Sequence, residues 1–125
     1  MDGGKRFVVH KHQASRLHYD FRLEVDGALK SWAVPKGVPE TPGARRLAVQ
    51  VDDHDLDYIT FEGVIEEGYG AGTVEIWDTG TYALEDRKPG KLVFEMKGKK
   101  LHGTYVLVRM EGKGEKNWLI FKKNS

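Results

Sequence analysis

Four side chains able to bind a divalent ion and a phosphate crowd into one stretch of the chain: His12, His18, Asp20 and Arg22. Residues 17–25 alternate strictly between apolar and polar. As a β-strand, this segment places Leu17, Tyr19, Phe21, Leu23 and Val25 on one face. His18, Asp20, Arg22 and Glu24 then share the other, spaced roughly 7 Å apart at about 3.3 Å per residue. His12 lies upstream and comes over the same face if the chain turns back. Imidazole plus carboxylate suits zinc, manganese or iron, and three protein ligands leave positions open for water and substrate. A guanidinium beside such an ion commonly holds a phosphate or carboxylate bidentately. The same triad also serves non-haem iron oxygenases, so the ligand set alone names no reaction. A plainer reading stays open, with His18 and Asp20 as a surface ion pair, His12 in a loop and Arg22 paired with Glu24.

Further along, His54 sits in Val51-Asp-Asp-His-Asp-Leu-Asp-Tyr58. Carboxylates nearby favour its imidazolium, which suits an acid or phosphate donor, unless it merely caps a solvated loop. The four Asp residues do not make an EF-hand, whose Gly and Glu positions are missing. Lys36 and Arg46 are candidate phosphate or nucleic-acid contacts, though each alone also fits a solvated charge. Gly68–Gly72 lacks the Lys-Ser/Thr of a phosphate loop and reads as a tight turn. His10 and His102 read as ordinary half-exposed strand residues. The absence of cysteine and of Gly-x-Ser-x-Gly disfavours an acyl-enzyme hydrolase.

The elements that must position these groups are strands. The pattern predicts strands at 6–10, 17–25, 29–34, 46–51, 58–62, 72–79, 81–85, 91–97, 103–110 and 117–122. Asp26-Gly27 is a hairpin signal, and residues 35–43 form one long Pro/Gly loop. Single helical turns are expected only at 13–17 and 53–58. Short strands joined by Gly/Pro turns in 125 residues predict an all-β, single-domain barrel of about eight strands, since closure removes exposed edges. Residues 1–5 are expected to be disordered. Net charge is +1, from 20 basic and 19 acidic residues. That balance disfavours coating of long nucleic acid and leaves room for focused contact with an end. The absence of cysteine and of an apolar leader predicts a cytoplasmic protein with no membrane partner, and a monomer is expected.

The string Phe7-Val-Val-His-Lys-His-Gln-Ala-Ser-Arg-Leu-His-Tyr-Asp-Phe-Arg-Leu-Glu24 is long and specific. With Leu29–Gly37, Arg46–His54, Leu56–Tyr58 and Phe61–Ile65, it closely resembles the 3′-phosphoesterase domain of bacterial DNA ligase D and its stand-alone archaeal relatives. The resemblance covers nearly the whole chain and weakens after about residue 80. It implies a compact β-barrel with a manganese site, cobalt or zinc being possible substitutes. The family trims nucleic-acid 3′ ends, removing a terminal 3′-ribonucleoside and then hydrolysing the 3′-phosphate to a hydroxyl. A separate DNA ligase or polymerase is the implied partner. By position, His12, His18 and Asp20 match the metal ligands. Arg22, Arg46 and His54 match the groups around the phosphate, with Lys36 and Tyr58 in support. His10, Glu24 and Gln50 are candidates to stand behind them.

This chain also departs from the family. A Gln commonly precedes the Lys-His pair there, and His10 occupies that place here. The loop at 63–72 is one residue shorter and lacks its Pro. Little acid beyond Asp2 remains in the N-terminal arm, so the resemblance implies the phosphatase step more than the ribonuclease step. A non-catalytic DNA-end-binding module and an iron oxygenase remain the competing readings.

Overall fold

A computed structural model describes residues 5–68 and 71–124 and shows nine antiparallel strands. They are β1 (Lys5–Gln13), β2 (Leu17–Val25), β3 (Ala28–Val34), β4 (Arg45–His54), β5 (Gly63–Ile65), β6 (Gly72–Lys88), β7 (Lys91–Gly98), β8 (His102–Arg109) and β9 (Asn117–Lys122). Eight of them close a ring in the order β1-β2-β3-β4-β9-β8-β7-β6, sealed by pairing of β6 with β1. The short β5 lies outside the ring, added to the start of β6. The expected all-β barrel is therefore the observed fold. No helix among the described residues is long and apolar enough to cross a membrane.

Alternation drives the closure. Inward-facing Phe7, Phe21, Trp32, Phe94, Tyr105 and Ile120 are almost wholly buried and fill the barrel. Phe94 stacks between Phe21 and Tyr105, with ring centroids 5.9 and 6.4 Å away. The hairpin between β2 and β3 turns on Asp26 and Gly27, both at positive φ (52° and 85°). That backbone matches the strands' right-handed twist and suits an Asp-Gly pair.

Several elements differ from the sequence expectation. The predicted strand at 58–62 is a 3₁₀ turn, Leu56–Thr60, followed by β5. In such a turn residues three apart align, so Leu56 and Ile59 face the same way. Both pack outside the barrel over Val8 and Leu29, forming a satellite apolar cluster. Burying that outer apolar surface outweighs the strand propensity of Tyr58-Ile-Thr-Phe. The expected helical turn at 13–17 is absent, because β1 continues to Gln13 and pairs it with Leu17. The predicted strands at 72–79 and 81–85 are one strand, since Gly80 is paired with both Phe7 and Gly98. Lys5 opens β1, whereas residues 1–4 lie outside the described residues. Residues 69 and 70 of the glycine turn lie outside them too.

Candidate metal and phosphate site

The polar face inferred for residues 18–24 is the outer face of the barrel. Antiparallel pairing sets His12 opposite His18, His10 opposite Asp20 and Val8 opposite Arg22. Across the next pair, Arg22 meets Ser31. Directly opposed residues bring their Cβ atoms within about 5 Å, so register alone gathers the two histidines, the aspartate and the arginine.

Asp20 sits at the centre with 5% of its surface exposed. Its Oδ2 is 3.2 Å from His12 Nδ1, and its Oδ1 is 3.2 Å from His18 Nε2. One ligand atom from each of the three residues falls within 4.8 Å of the others. Burial works against the Asp20 charge. The His18 hydrogen bond and the Arg22, His18 and His12 charges outweigh it and hold the carboxyl below its ordinary range. On His18, both ring nitrogens face acceptors, Asp20 Oδ1 and the Arg16 carbonyl at 3.3 Å. That favours the doubly protonated ring and raises its pKa, chiefly through Asp20. Two nitrogens and one carboxylate oxygen converging this closely fit a borderline divalent cation. The group could hold a metal, with its imidazoles deprotonated.

Arg22 is the second centre, its side chain 4% exposed. Nε donates to His10 Nδ1 at 3.1 Å, and Nη1 donates to Ser31 Oγ at 2.9 Å. Nη1 also lies 3.1 Å from His54 Nδ1, while Nη2 is 3.4 Å from Asp20 Oδ2. Beneath the guanidinium lies the Tyr58 ring, 4.9 Å away. His10 is fully buried rather than half-exposed, because the 3₁₀ turn and the segment after it cover this part of β1. Its Nε2 donates to the Phe61 carbonyl at 3.0 Å. One nitrogen accepting and the other donating is the neutral tautomer. Burial, then the Arg22 charge, pushes its pKa down to about 4.

His54 reaches this cluster through an irregularity. By simple alternation it would follow Ala48 and Gln50 on the inner row. Between Ser31, opposite Val51, and Leu29, opposite His54, β4 carries one extra residue. The bulge reverses the facing and turns His54 outward onto Arg22. The expected imidazolium is not what the surroundings favour. Burial and the Arg22 charge lower its pKa, outweighing Asp52 and Asp20. The four surrounding aspartates are solvent-exposed, so their fields are weak at the ring.

Other candidates lie elsewhere. Arg46 donates from Nη1 to the carbonyls of Lys36 (2.6 Å) and Gly37 (3.0 Å), so it pins the loop after β3. It shares its inward row with Ala48 and Gln50. Gln50 helps line an open pocket of about 410 Å³ with Lys30, Trp32, Arg87 and Trp118, away from the polar outer face. Glu24 accepts from the Arg6 backbone N–H at 3.0 Å and from its Nε at 3.4 Å. Two participants escaped the sequence reading. Ser31, fully buried, was legible only as a polar residue on an otherwise covered strand. The Phe61 carbonyl carried no side-chain signal at all.

Residues 10–109 match the profile of the DNA ligase D 3′-phosphoesterase domain. The chain is 52% identical over 124 residues to the multifunctional non-homologous end joining protein LigD of Pseudomonas aeruginosa, covering 94% of this chain and 15% of that protein. It is 48% identical over 114 residues to the multifunctional non-homologous end joining DNA repair protein LigD of Mycobacterium tuberculosis, covering 87% and 15%. Against the multifunctional non-homologous end joining protein LigD of Mycolicibacterium smegmatis the figures are 44% over 129 residues, covering 94% and 16%. The chain thus spans 15–16% of the length of these relatives. With most of its residues under the family profile and about half of them identical in such relatives, the chain belongs to the DNA ligase D 3′-phosphoesterase domain family.

Proposed function

We propose that this chain is a manganese-dependent phosphoesterase that heals nucleic-acid 3′ ends, hydrolysing a terminal 3′-phosphate to a 3′-hydroxyl for end joining. The observation that carries the reading is the convergence of His12, His18 and Asp20 within 4.8 Å, with Arg22 against the same carboxylate. Family membership supports a hydrolase acting on DNA ends. His12, His18 and Asp20 would hold the ion, which would supply Lewis-acid polarisation of the phosphate and a more acidic bound water. Arg22 offsets the negative charge that builds on the phosphoryl oxygens. His54 has Nδ1 3.1 Å from Arg22 Nη1 and 3.2 Å from the Asp52 carbonyl, which leaves Nε2 as the ring nitrogen to hydrogen-bond the phosphate or the leaving 3′-oxygen. Tyr58 walls the site under Arg22. Lys36, on the loop that Arg46 pins, serves the nucleic-acid strand beyond the reacting end. Removal of a terminal 3′-ribonucleoside, which leaves the 3′-phosphate that is then hydrolysed, is the preceding reaction proposed for the same site.

The test is a primer–template duplex ending in a 3′-phosphate, or in a 3′-ribonucleotide, incubated with a panel of divalent ions or with chelator. Manganese-dependent release of phosphate is expected from the first substrate, and Asp20→Ala is expected to abolish it. Wild-type turnover by Asp20→Ala with manganese present would overturn the assignment. End binding without phosphate release at any metal concentration would instead identify a binding module. A requirement for a 2-oxo acid would identify an oxygenase.

A further inference from the structure

We infer that His10 is a positioning residue. It fixes the plane of the Arg22 guanidinium and locks it to the segment that carries Tyr58 and Phe61. Four contacts close a circuit. Arg22 Nε donates to His10 Nδ1 at 3.1 Å, and His10 Nε2 donates to the Phe61 carbonyl at 3.0 Å. The Phe61 ring stacks on Tyr58 with centroids 4.8 Å apart and planes 10° from parallel. Tyr58 lies under the guanidinium at 4.9 Å, and the His10 ring meets its edge at 5.2 Å. His10 is fully buried and Arg22 nearly so, which leaves little room for either to adopt another arrangement.

The chemistry of the circuit is selective. A guanidinium donates from every nitrogen, so its partner at Nε must present a lone pair. The Phe61 carbonyl requires an N–H. Neutral imidazole offers both on one rigid ring, and so does a carboxamide of matching reach. An apolar residue offers neither and leaves Nε–H and the carbonyl buried without partners. With Nε tied to His10 and one Nη1 direction tied to Ser31, the guanidinium cannot rotate. Its contacts with Asp20 and His54 then remain the ones a substrate can exchange. His10 touches none of the reacting atoms in this arrangement and acts through Arg22. The catalytic part of the inference rests on the phosphate-holding role proposed for Arg22.

Three variants test it: His10→Gln, His10→Leu and the shorter His10→Asn. The first readout needs no activity. It is the ¹⁵N-labelled arginine Nε–H resonance of Arg22, identified by its loss in Arg22→Lys. The wild-type protein and His10→Gln are expected to show a shifted, slowly exchanging Nε–H, and His10→Leu and His10→Asn to lose it. The second readout is phosphate release from the 3′-phosphate duplex. His10→Gln is expected to stay within about 3-fold of wild type, while the other two lose about 10²-fold in kcat, the scale of a misplaced catalytic group. Manganese affinity is expected to be little changed. If His10→Leu fails to fold, His10→Asn decides. Retention of the Nε–H signal in the folded Leu or Asn variant overturns the inference, as does equal impairment of Gln and Leu. A wild-type protein releasing no phosphate with any ion sinks the functional reading, and the resonance alone then judges the strut.

Discussion

Arg22 distributes its donors among neighbours drawn from different strands: His10 on β1, Ser31 on β3, His54 on β4 and Asp20 on its own strand. A planar fork with five N–H groups makes that distribution possible, and an ammonium cannot reproduce it. Arg22→Lys is therefore expected to keep the charge and lose the geometry. With the Nε and Nη1 partners stranded, we expect a fall of about 10²–10³-fold in kcat for phosphate release, the scale seen when one preorganised donor is removed. Steady-state kinetics on the 3′-phosphate duplex check this, and a kcat within a few-fold of wild type would show that charge alone suffices. Asp20 binds the two centres into one, because its Oδ2 faces both His12 and Arg22. A change at the proposed metal ligands should therefore be felt at Arg22, the group proposed to hold the phosphate.

One extra residue in β4 decides where His54 points. Strict alternation after Ala48 and Gln50 would send it toward the barrel interior, and the bulge opposite Lys30 sends it to Arg22 instead. Deleting Asp53 restores two-to-two pairing between Leu29–Ser31 and the end of β4. The variant is expected to remain a folded barrel by circular dichroism, since Asp53 is exposed and buries no apolar surface. His54 then follows the outward Val51 by two residues and stays opposite Leu29 on the outer face, so phosphate release should remain within a few-fold of wild type. His54→Ala, by contrast, should lower it by about 10²-fold or more, as if a general acid–base group were gone. Full activity in a folded His54→Ala variant would show that His54 is not required on this face. The 3₁₀ turn makes the complementary contribution. Leu56 and Ile59 anchor it on Val8 and Leu29, and the same turn presents Tyr58 to Arg22 and His54.

At the scale of the whole molecule, the buried imidazoles make the stability of the metal-free protein depend on pH in two directions. His10 falls from 6.5 to about 4. It is therefore neutral in the folded state where the unfolded chain would bind a proton. Its contribution is complete above pH 6.5 and is lost as pH falls toward 4, a differential of roughly 3 kcal/mol. His54, lowered by burial and by Arg22, acts in the same sense. His18 is raised by Asp20, so its contribution is complete below 6.5 and is lost as pH rises through its folded pKa. Asp20, lowered, adds stability above the ordinary carboxylate range and loses it below. Thermal melts in chelator should show Tm highest near pH 6–7, a steep loss from 6.5 down to 4 and a shallower loss on the alkaline side. His10→Gln should flatten the acid limb. A Tm still rising at pH 5 would contradict the neutral, buried state of His10.

The sequence alone carried the all-β class, the barrel and the outward row of His18, Asp20 and Arg22. Period-2 alternation is a local property, and residues 17–25 display it without interruption. It also carried the family resemblance, through a contiguous run of residues rather than through scattered positions. Tertiary structure decided what local pattern could not. Pairing register set His12 against His18, a bulge reversed His54, and a 3₁₀ turn replaced a predicted strand to cover Val8 and Leu29. The protonation states followed from the same source. Four aspartates beside His54 in sequence point into water, whereas the arginine that governs its charge lies 32 residues away along the chain. Fields depend on distance and burial, and only the closed barrel fixes those.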